Sequence, residues 1–252
     1  MISLLKGDCL ELMKDIPDRS IDMILCDLPY GLTHCDWDIP LDMESMWGGY
    51  KRIIKDNGAI LLFSIQPFTS DLIQSNRKMF RYEIVWEKTQ KTGFYNANKM
   101  PLKAHENILV FYKRLPTYNP QKYAVHRKDI GRVRNQKADR CVLYGHVEAH
   151  DWVETGQRYP HDVIHFSNWN GGKTDKATKH PTQKPVQLLQ YLIKTYTNEG
   201  DTVLDNCMGS GSTGVACVNL NRNFIGMELK GEYFQIAKDR IQEAETAAMM
   251  EG

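Results

Sequence analysis

The segment Asp27-Leu28-Pro29-Tyr30 follows an apolar run, Ile21–Cys26, that is typical of a buried strand. Pro29 fixes its own φ and restricts Leu28, so the loop is stiff and the Leu28 carbonyl has a set direction. A carboxylate at Asp27 and that carbonyl can accept the two N–H bonds of an amino group, while Tyr30 stacks on the planar ring that carries it. The segment therefore predicts a site for an amino group on a planar base. A simple strand-ending turn is the alternative.

A second segment, residues 202–214, has a short strand, a loop with three glycines and the start of a helix. Such glycines let the backbone approach a ligand and expose the N–H groups of a helix N-terminus. A dinucleotide loop turns directly onto its glycines, whereas here three residues separate Asp205 from Gly209. A carboxylate at this place repels a pyrophosphate and suits a cationic, amine-bearing ligand. Glu228 ends the next strand, where it either accepts both ribose hydroxyls or is an exposed strand end.

A third segment, His180-Pro181-Thr182-Gln183-Lys184-Pro185, stands immediately before a predicted helix. Pro185 suits the N-terminus of that helix, and the polar residues before it can face the same crevice. Alone, the segment indicates no more than a helix entry.

Short apolar runs alternate with longer amphipathic segments, which is typical of a parallel α/β sheet. The predicted strands are Ile2–Leu5, Ile21–Cys26, Ala59–Ser64, Tyr82–Glu87, Asn107–Tyr112, Thr202–Leu204 and Phe224–Glu228. The predicted helices are Met43–Lys55, Phe68–Lys78, Val186–Thr197, Thr213–Leu220 and Tyr233–Ala248. Tyr82–Glu87 and Asn107–Tyr112 have no helix between them, so we expect an antiparallel pair at one edge of the sheet.

The net charge of the 252 residues is +1, but the charge is unevenly distributed. Residues 113–180 contain 13 basic and seven acidic residues, a net charge of +6, which leaves −5 for the rest of the chain. A basic insert in a mildly acidic body is typical of a protein that attracts nucleic acid, although a solvated basic loop gives the same count.

Taken together and in this order, the three segments and the insert resemble the amino-methylating DNA methyltransferases of the permuted β class. The resemblance covers roughly residues 1–113 and 180–245. It implies a Rossmann-like, seven-stranded, mostly parallel sheet with one reversed edge strand. The implied domains are a catalytic half at 1–113, a target-recognition insert at 114–179 and a cofactor-binding half at 180–252.

The resemblance also implies roles for individual residues around S-adenosylmethionine. The catalytic loop is Asp27, Leu28, Pro29 and Tyr30. The residues implied to bind the cofactor are Asp205, Gly209 and Gly211 on its methionine side, Glu228 on the ribose, Asp8 and Cys9 beside the adenine, and Thr182 and Lys184 near the methionine tail. The chain departs from the family where Leu28 replaces a proline and where Asn206-Cys207-Met208 replaces Pro-Phe after the acidic residue.

The predicted reaction is methyl transfer to adenine N6 of a base flipped out of double-stranded DNA. Adenine is favoured because the catalytic loop begins with Asp, whereas the cytosine-N4 enzymes of the family more often begin with Ser. Cytosine N4, an RNA or a protein amide are the alternative substrates. A cofactor-binding regulator and an NAD dehydrogenase are the rival classes.

Four arginines of the insert, Arg127, Arg132, Arg134 and Arg140, are predicted to contact DNA at guanines or phosphates. The aromatic and polar residues 88–101 lie at the sheet edge expected to face DNA. The histidines and cysteines show no four-ligand spacing, so no metal site is predicted. Without a signal peptide or membrane span we expect a cytoplasmic protein. The resemblance implies a homodimer and leaves a cognate restriction nuclease open.

Overall fold

A computed structural model describes residues 1–31, 39–125, 130–136, 139–141, 145–168 and 183–251. These residues form two compact units, one of Met1–Asn119 with Asp162–Gly252 and one of Pro120–His161. The second unit is shorter than the insert predicted at 114–179, because the segment after His161 adds a strand to the main sheet.

The strands of the described residues are β1 (Ile2–Lys6), β2 (Ile21–Cys26), β3 (Ile54–Ser64), β4 (Phe80–Thr92), β5 (Lys103–Phe111), β6 (Tyr123–Ala124), β7 (Val133–Gln136), β8 (Asp139–Cys141), β9 (Gly145–Val147), β10 (His150–Val153), β11 (Gln157–Arg158), β12 (Val163–Phe166), β13 (Thr202–Asp205) and β14 (Asn223–Glu228). The α-helices are α1 (Cys9–Leu12), α2 (Met43–Ile53), α3 (Phe68–Ser75), α4 (Val186–Tyr196), α5 (Ser212–Val218) and α6 (Gly231–Glu251). All seven predicted strands and all five predicted helices are present, β2 with the predicted bounds and the others with one or both ends shifted.

The main sheet has eight strands in the order β1-β14-β13-β2-β3-β5-β4-β12. Every neighbouring pair is parallel except the two pairs made by β5. The predicted Rossmann-like α/β class is therefore confirmed. Two details differ from the expectation: the sheet has one strand more than seven, and the reversed strand is internal because β4 and β12 lie outside it.

Helices cover both faces of the sheet because successive strand residues point to opposite sides. On one face, Leu25 of β2 belongs to a buried cluster with Leu192 of α4 and Ile241 of α6. On the other face, Ile24 of β2 belongs to a cluster with Tyr50 of α2 and Leu72 of α3. Strands buried on both faces explain why the predicted strands were continuous apolar runs.

The connection that follows β2 and the connection that follows β13 run in opposite directions across the sheet. β2 is followed by β3 on one side, and β13 is followed by β14 on the other. Ligand crevices in open α/β folds form at such a switch point, outside the carboxyl ends of the strands. The Asp27 loop and the glycine loop both begin at this point.

The Pro120–His161 unit consists of small antiparallel pairs, β10 with β7, β11 with β6, and β8 with β9. Within it the carboxylate of Glu154 is buried and is paired with Arg158 at 2.9 Å. Across the described part of the chain, no helix has the length and apolarity needed to cross a membrane.

Candidate active site

The loop after β2 holds Asp27 in a fixed orientation. The Tyr30 hydroxyl donates a hydrogen bond to Asp27 Oδ1 over 2.6 Å, and the Tyr30 ring packs on Phe68 with centroids 5.0 Å apart. Burial and the negative charge of Asp27 raise the pKa of Tyr30 well above its usual value, so the hydroxyl stays a donor. Leu28 is buried in the core, whereas Asp27, Pro29 and Tyr30 are partly exposed. The structure therefore brings together the four residues predicted to form the catalytic loop.

Lys184 lies directly on this loop. Its Nζ donates to Asp27 Oδ2 over 2.5 Å and lies 3.3 Å from Glu106 Oε2. The ammonium also stands 5.0 Å from the centroid of the Phe63 ring. Sequence reasoning predicted Lys184 near a cofactor tail, and the structure joins it to the carboxylate of Asp27. Thr182, predicted with it, lies outside the described residues.

Glu106 is shared between two lysines. Its Oε1 accepts from Lys88 Nζ over 3.1 Å, on the neighbouring strand β4. Burial alone raises the pKa of Glu106, but Lys184 and Lys88 outweigh it and leave that pKa below its usual value. Burial alone lowers the pKa of Lys184, but Asp27 and Glu106 leave that pKa above its usual value. Glu106 and Lys184 are therefore both charged around neutral pH.

Glu106, Lys88 and Phe63 were not predicted as site residues. The signal that could have found Glu106 is the antiparallel pairing itself. A reversed strand begins at the edge where parallel strands end, so the first residues of β5 lie beside the end of β3, with Asn107 opposite Ser64. Glu106, one residue earlier, must then lie at the ligand edge of the sheet.

The side chain of Asp205 holds together the glycine loop after β13. It is therefore only partly available to bind a ligand. Asp205 is 4% exposed, and its two oxygens accept from Cys207 N over 3.1 Å and from Thr213 Oγ1 over 2.6 Å. Burial raises the pKa of Asp205 to about 7, against the lowering effect of these hydrogen bonds. Asp205 thus fixes the distance between β13 and the start of α5.

Glu228 at the end of β14 faces the same loop. Its Oε2 accepts from Gly209 N over 3.0 Å and its Oε1 from Lys230 N over 2.8 Å. Burial raises the pKa of Glu228, which these backbone N–H groups partly offset. Each carboxylate oxygen can accept a further bond, as two ribose hydroxyls would require. Gly209 and Glu228, each predicted to bind the cofactor, are therefore in contact with one another.

Gly211 is required at its position by backbone conformation and by packing. It has φ +79°, and a Cβ placed there would stand 2.8 Å from Ala237 Cβ of α6. The loop before it also contacts the third segment, because Ser210 Oγ donates to Gln183 Oε1 over 3.3 Å. The three segments that carried the prediction are thus joined around one crevice.

Asp8 and Cys9 lie at the end of β1, on the far side of the glycine loop. Asp8 Oδ1 caps α1 by accepting from Leu10 N over 2.8 Å, and the preceding Gly7 donates from its N to Glu228 O over 3.0 Å. Cys9 Sγ accepts from Asn206 Nδ2 at 3.5 Å. The loop that carries Asp8 and Cys9 is therefore joined through Gly7 to the end of β14 at Glu228.

The cysteines at the site are not activated nucleophiles. Burial raises the pKa of Cys26 to about 12, and a hydrogen bond with Cys207, reinforced by burial, raises that of Cys9. Thiols at these positions stay protonated around neutral pH. This agrees with chemistry that runs through hydrogen bonds to Asp27.

The predicted DNA-contacting arginines are spread over the second unit. Arg132 is exposed, Arg134 is in β7 opposite Trp152, and Arg140 is in β8 opposite His146. Arg127 lies outside the described residues.

The site combines a loop whose acceptors suit an amino group with a glycine loop and a carboxylate at the end of a strand. These features are typical of a Rossmann-like transferase that brings a nucleoside cofactor to an amine. The chain belongs to the DNA methylase family, whose sequence model matches residues 21–239. The resemblance to amino-methylating DNA methyltransferases is thereby confirmed. The family includes enzymes that methylate adenine N6 and enzymes that methylate cytosine N4.

Individual proteins that are similar to this chain are also methyltransferases. The chain is 29% identical to the Type II methyltransferase M.HpaI of Haemophilus parainfluenzae over 94% of this chain and 73% of that protein. It is 27% identical to the Type II methyltransferase M1.MboII of Moraxella bovis over 94% and 95% of the two chains. The crystal structure of the M1.HpyAVI–SAM complex matches with a TM-score of 0.64 and 26% identity over 96% and 99% of the chains. The cytosine-N4-specific PvuII DNA methyltransferase, at 16% identity, 98% and 92% coverage and a TM-score of 0.65, shares the fold.

Proposed function

We propose that this protein transfers a methyl group from S-adenosylmethionine to adenine N6 in double-stranded DNA. The observation that carries the proposal is the Asp27 loop, held by Tyr30 and Lys184 beside the glycine loop at the switch point of the sheet. Adenine is favoured over cytosine because Asp, and not Ser, begins the catalytic loop.

The residues around the glycine loop fit this cofactor. Glu228 offers two carboxylate oxygens to the ribose, with Asp8 and Cys9 at the adenine end. Gly209 has positive φ and open space where a Cβ would stand, so its backbone can approach a ligand on the methionine side, where Asp205 supplies a negative charge when ionised. Gly211, also at positive φ, lets the loop pack against Ala237. When bound, S-adenosylmethionine supplies an electrophilic methyl group on a positively charged sulfur.

Asp27 and the Leu28 carbonyl activate the target nitrogen. The lone pair of an amine on an aromatic base is delocalised into the ring, so the nitrogen is a poor nucleophile. Two acceptors that bind its N–H groups favour the pyramidal nitrogen and stabilise the positive charge that develops as it gains the methyl group. Once the nitrogen carries the methyl group, it loses one N–H proton to the Asp27 carboxylate, which releases that proton to solvent.

The target base must leave the duplex stack to reach Asp27. We infer that the basic Pro120–His161 unit, with Arg127, Arg132, Arg134 and Arg140, holds the DNA backbone or reads its bases. Residues 93–102, between β4 and β5, add an acid-free segment with exposed Phe94 and Tyr95, which suit stacking on bases. The Type II relatives support a place in a restriction–modification system with a cognate nuclease.

The test is methylation of DNA by the purified protein with labelled S-adenosylmethionine, followed by digestion to nucleosides and mass spectrometry. We expect N6-methyladenine. N4-methylcytosine would refute the assignment of the base, and label in RNA or protein but not in DNA would refute the substrate. Sequencing of the modified bases would give the recognition site.

Asp27→Ala tests the role of the loop. We expect the rate of transfer to fall by at least about 100-fold, the usual effect of removing one electrostatic contact to the transition state, with little change in cofactor affinity. Asp22→Asn is the matched control, because Asp22 is a paired carboxylate at the opposite end of β2, 2.6 Å from Lys55. Equal rates for Asp27→Ala and the control would contradict the mechanism.

A further inference from the structure

Four charged side chains form a chain of contacts behind the catalytic loop. Lys88 contacts Glu106, Glu106 contacts Lys184, and Lys184 contacts Asp27, at 3.1, 3.3 and 2.5 Å. The side chains of Lys88, Lys184 and Glu106 are 8%, 11% and 15% exposed. Such a group is stable in the interior only while its two positive and two negative charges remain paired.

Both oxygens of Asp27 are occupied in this arrangement. Tyr30 donates to Oδ1 and Lys184 to Oδ2. The proposed reaction requires an Asp27 oxygen to accept an N–H from the target amine. Of these two donors, Lys184 is the one that we expect to leave Asp27, because Tyr30 is fixed by its packing on Phe68.

Glu106 offers Lys184 a second position. Its Oε2 is buried, lies 3.3 Å from Lys184 Nζ, and accepts no aligned hydrogen bond from the residues that the structure describes. An ammonium that moves from Asp27 toward this oxygen travels only a fraction of an ångström before it makes a normal hydrogen bond. Lys88 on Oε1 keeps Glu106 ionised and in place.

We propose that Glu106 is a positioning residue that takes up the Lys184 ammonium when the target amine binds Asp27 Oδ2. The inference rests on the proposed function. Lys184 remains paired throughout, so the exchange avoids the cost of leaving a buried ammonium without a partner. Glu106 itself contacts neither the base nor the transferred methyl group.

Glu106→Gln tests the proposal, because Gln keeps the shape but not the charge. Lys184 then has one carboxylate and stays on Asp27. We expect kcat for DNA methylation to fall at least 10-fold, with KM for S-adenosylmethionine and Kd for DNA within twofold of wild type. In the Lys184→Met background, where no ammonium competes for Asp27, Glu106→Gln should change kcat less than twofold.

The pH profile separates this role from a merely structural one. The charged groups around Lys184 in the described residues are Asp27, Glu106 and Lys88, with the Tyr30 hydroxyl beside them. Since Glu106 raises the pKa of Lys184, its replacement lets Lys184 lose its proton at lower pH. The kcat of Glu106→Gln should therefore recover as pH rises, and that of wild type should not.

Glu106→Asp keeps the charge and is expected to retain at least a third of the wild-type kcat and the wild-type pH profile. Asp22→Asn serves again as the control for loss of a paired carboxylate in the sheet. Unchanged kcat in Glu106→Gln, an equal loss in the Lys184→Met background, or parallel pH profiles would overturn the proposal. A wild-type protein that fails to methylate DNA would instead overturn the proposed function.

Discussion

Burial of Asp205 makes the stability of this protein dependent on pH near neutrality. Its pKa is raised to about 7 by burial, whereas an aspartate in an unfolded chain has a pKa of about 3.9. The fold thus favours the protonated carboxyl. The stabilisation from this group is complete below about pH 4 and is lost as pH rises through about 7.

Asp205→Asn removes this titration and keeps the shape of the side chain. Its amide oxygen can still accept from Cys207 N, and its NH2 can donate to Thr213 Oγ1 once that hydroxyl rotates. The linkage relation for these two pKa values gives a loss of about 2–3 kcal/mol in wild type between about pH 5 and pH 8. Over this pH range, the free energy of unfolding of wild type should therefore fall by that amount relative to that of the variant.

Urea unfolding of both proteins at several pH values measures this difference, and the titrations of all other groups cancel in it. Thr213→Val is the matched variant, because it removes a hydrogen bond that lowers the pKa of Asp205 and leaves the group buried. The pH-dependent loss of stability in Thr213→Val should extend to higher pH than the loss in wild type. A difference between Asp205→Asn and wild type that is constant from about pH 5 to pH 8 would refute the reasoning.

Three further substitutions, one of them with a matched control, test the cofactor loop and the DNA surface. Gly211→Ala should destabilise the fold by about 2–4 kcal/mol, through positive φ and contact with Ala237. Gly93→Ala, where φ is also positive but a Cβ meets no described atom within 4 Å, should lose about 1–2 kcal/mol in the same denaturation assay; equal losses would contradict the packing argument. Glu228→Gln should weaken S-adenosylmethionine binding about 10- to 100-fold in calorimetry, because its NH2 group would oppose a backbone N–H; unchanged affinity would exclude the ribose contact. Tyr95→Ala should weaken DNA binding about 5- to 100-fold in fluorescence anisotropy and leave cofactor affinity unaltered, and equal DNA affinity would exclude stacking.

The sheet could be predicted from sequence because each of its central strands is an apolar run buried on both faces. The ends of β4 and β5 could not. The sequence predicted Tyr82–Glu87 and Asn107–Tyr112, whereas the strands extend over Phe80–Thr92 and Lys103–Phe111. The additional residues are mostly polar and pair with each other, so hydrophobicity carries no signal there.

The added strand β12 was missed for a related reason. Only Ile164 of its four residues is fully buried, and its partner β4 lies far away in sequence. A short strand that pairs across such a distance is determined by tertiary contacts and not by local periodicity. The same holds for Glu106 and Lys88, whose polar types indicated nothing until the pairing of β4 with the reversed strand β5 placed Lys88 against Glu106 and Glu106 against Lys184.

The departures from the family loops also have a structural explanation. Leu28 replaces a proline, and its side chain is buried in the core. Apolar packing therefore holds the loop in place of the restriction that a second proline ring would have imposed on the backbone. The family has a phenylalanine close to the position of Met208. In this chain, the Met208 side chain is buried against β14. Room for it exists because residue 226 is a glycine: a Cβ there would overlap Met208 Sδ and approach Phe224 Cε1 to 2.6 Å. Met208 therefore fills the space that Gly226 leaves, and this packing holds the loop in place without the phenylalanine.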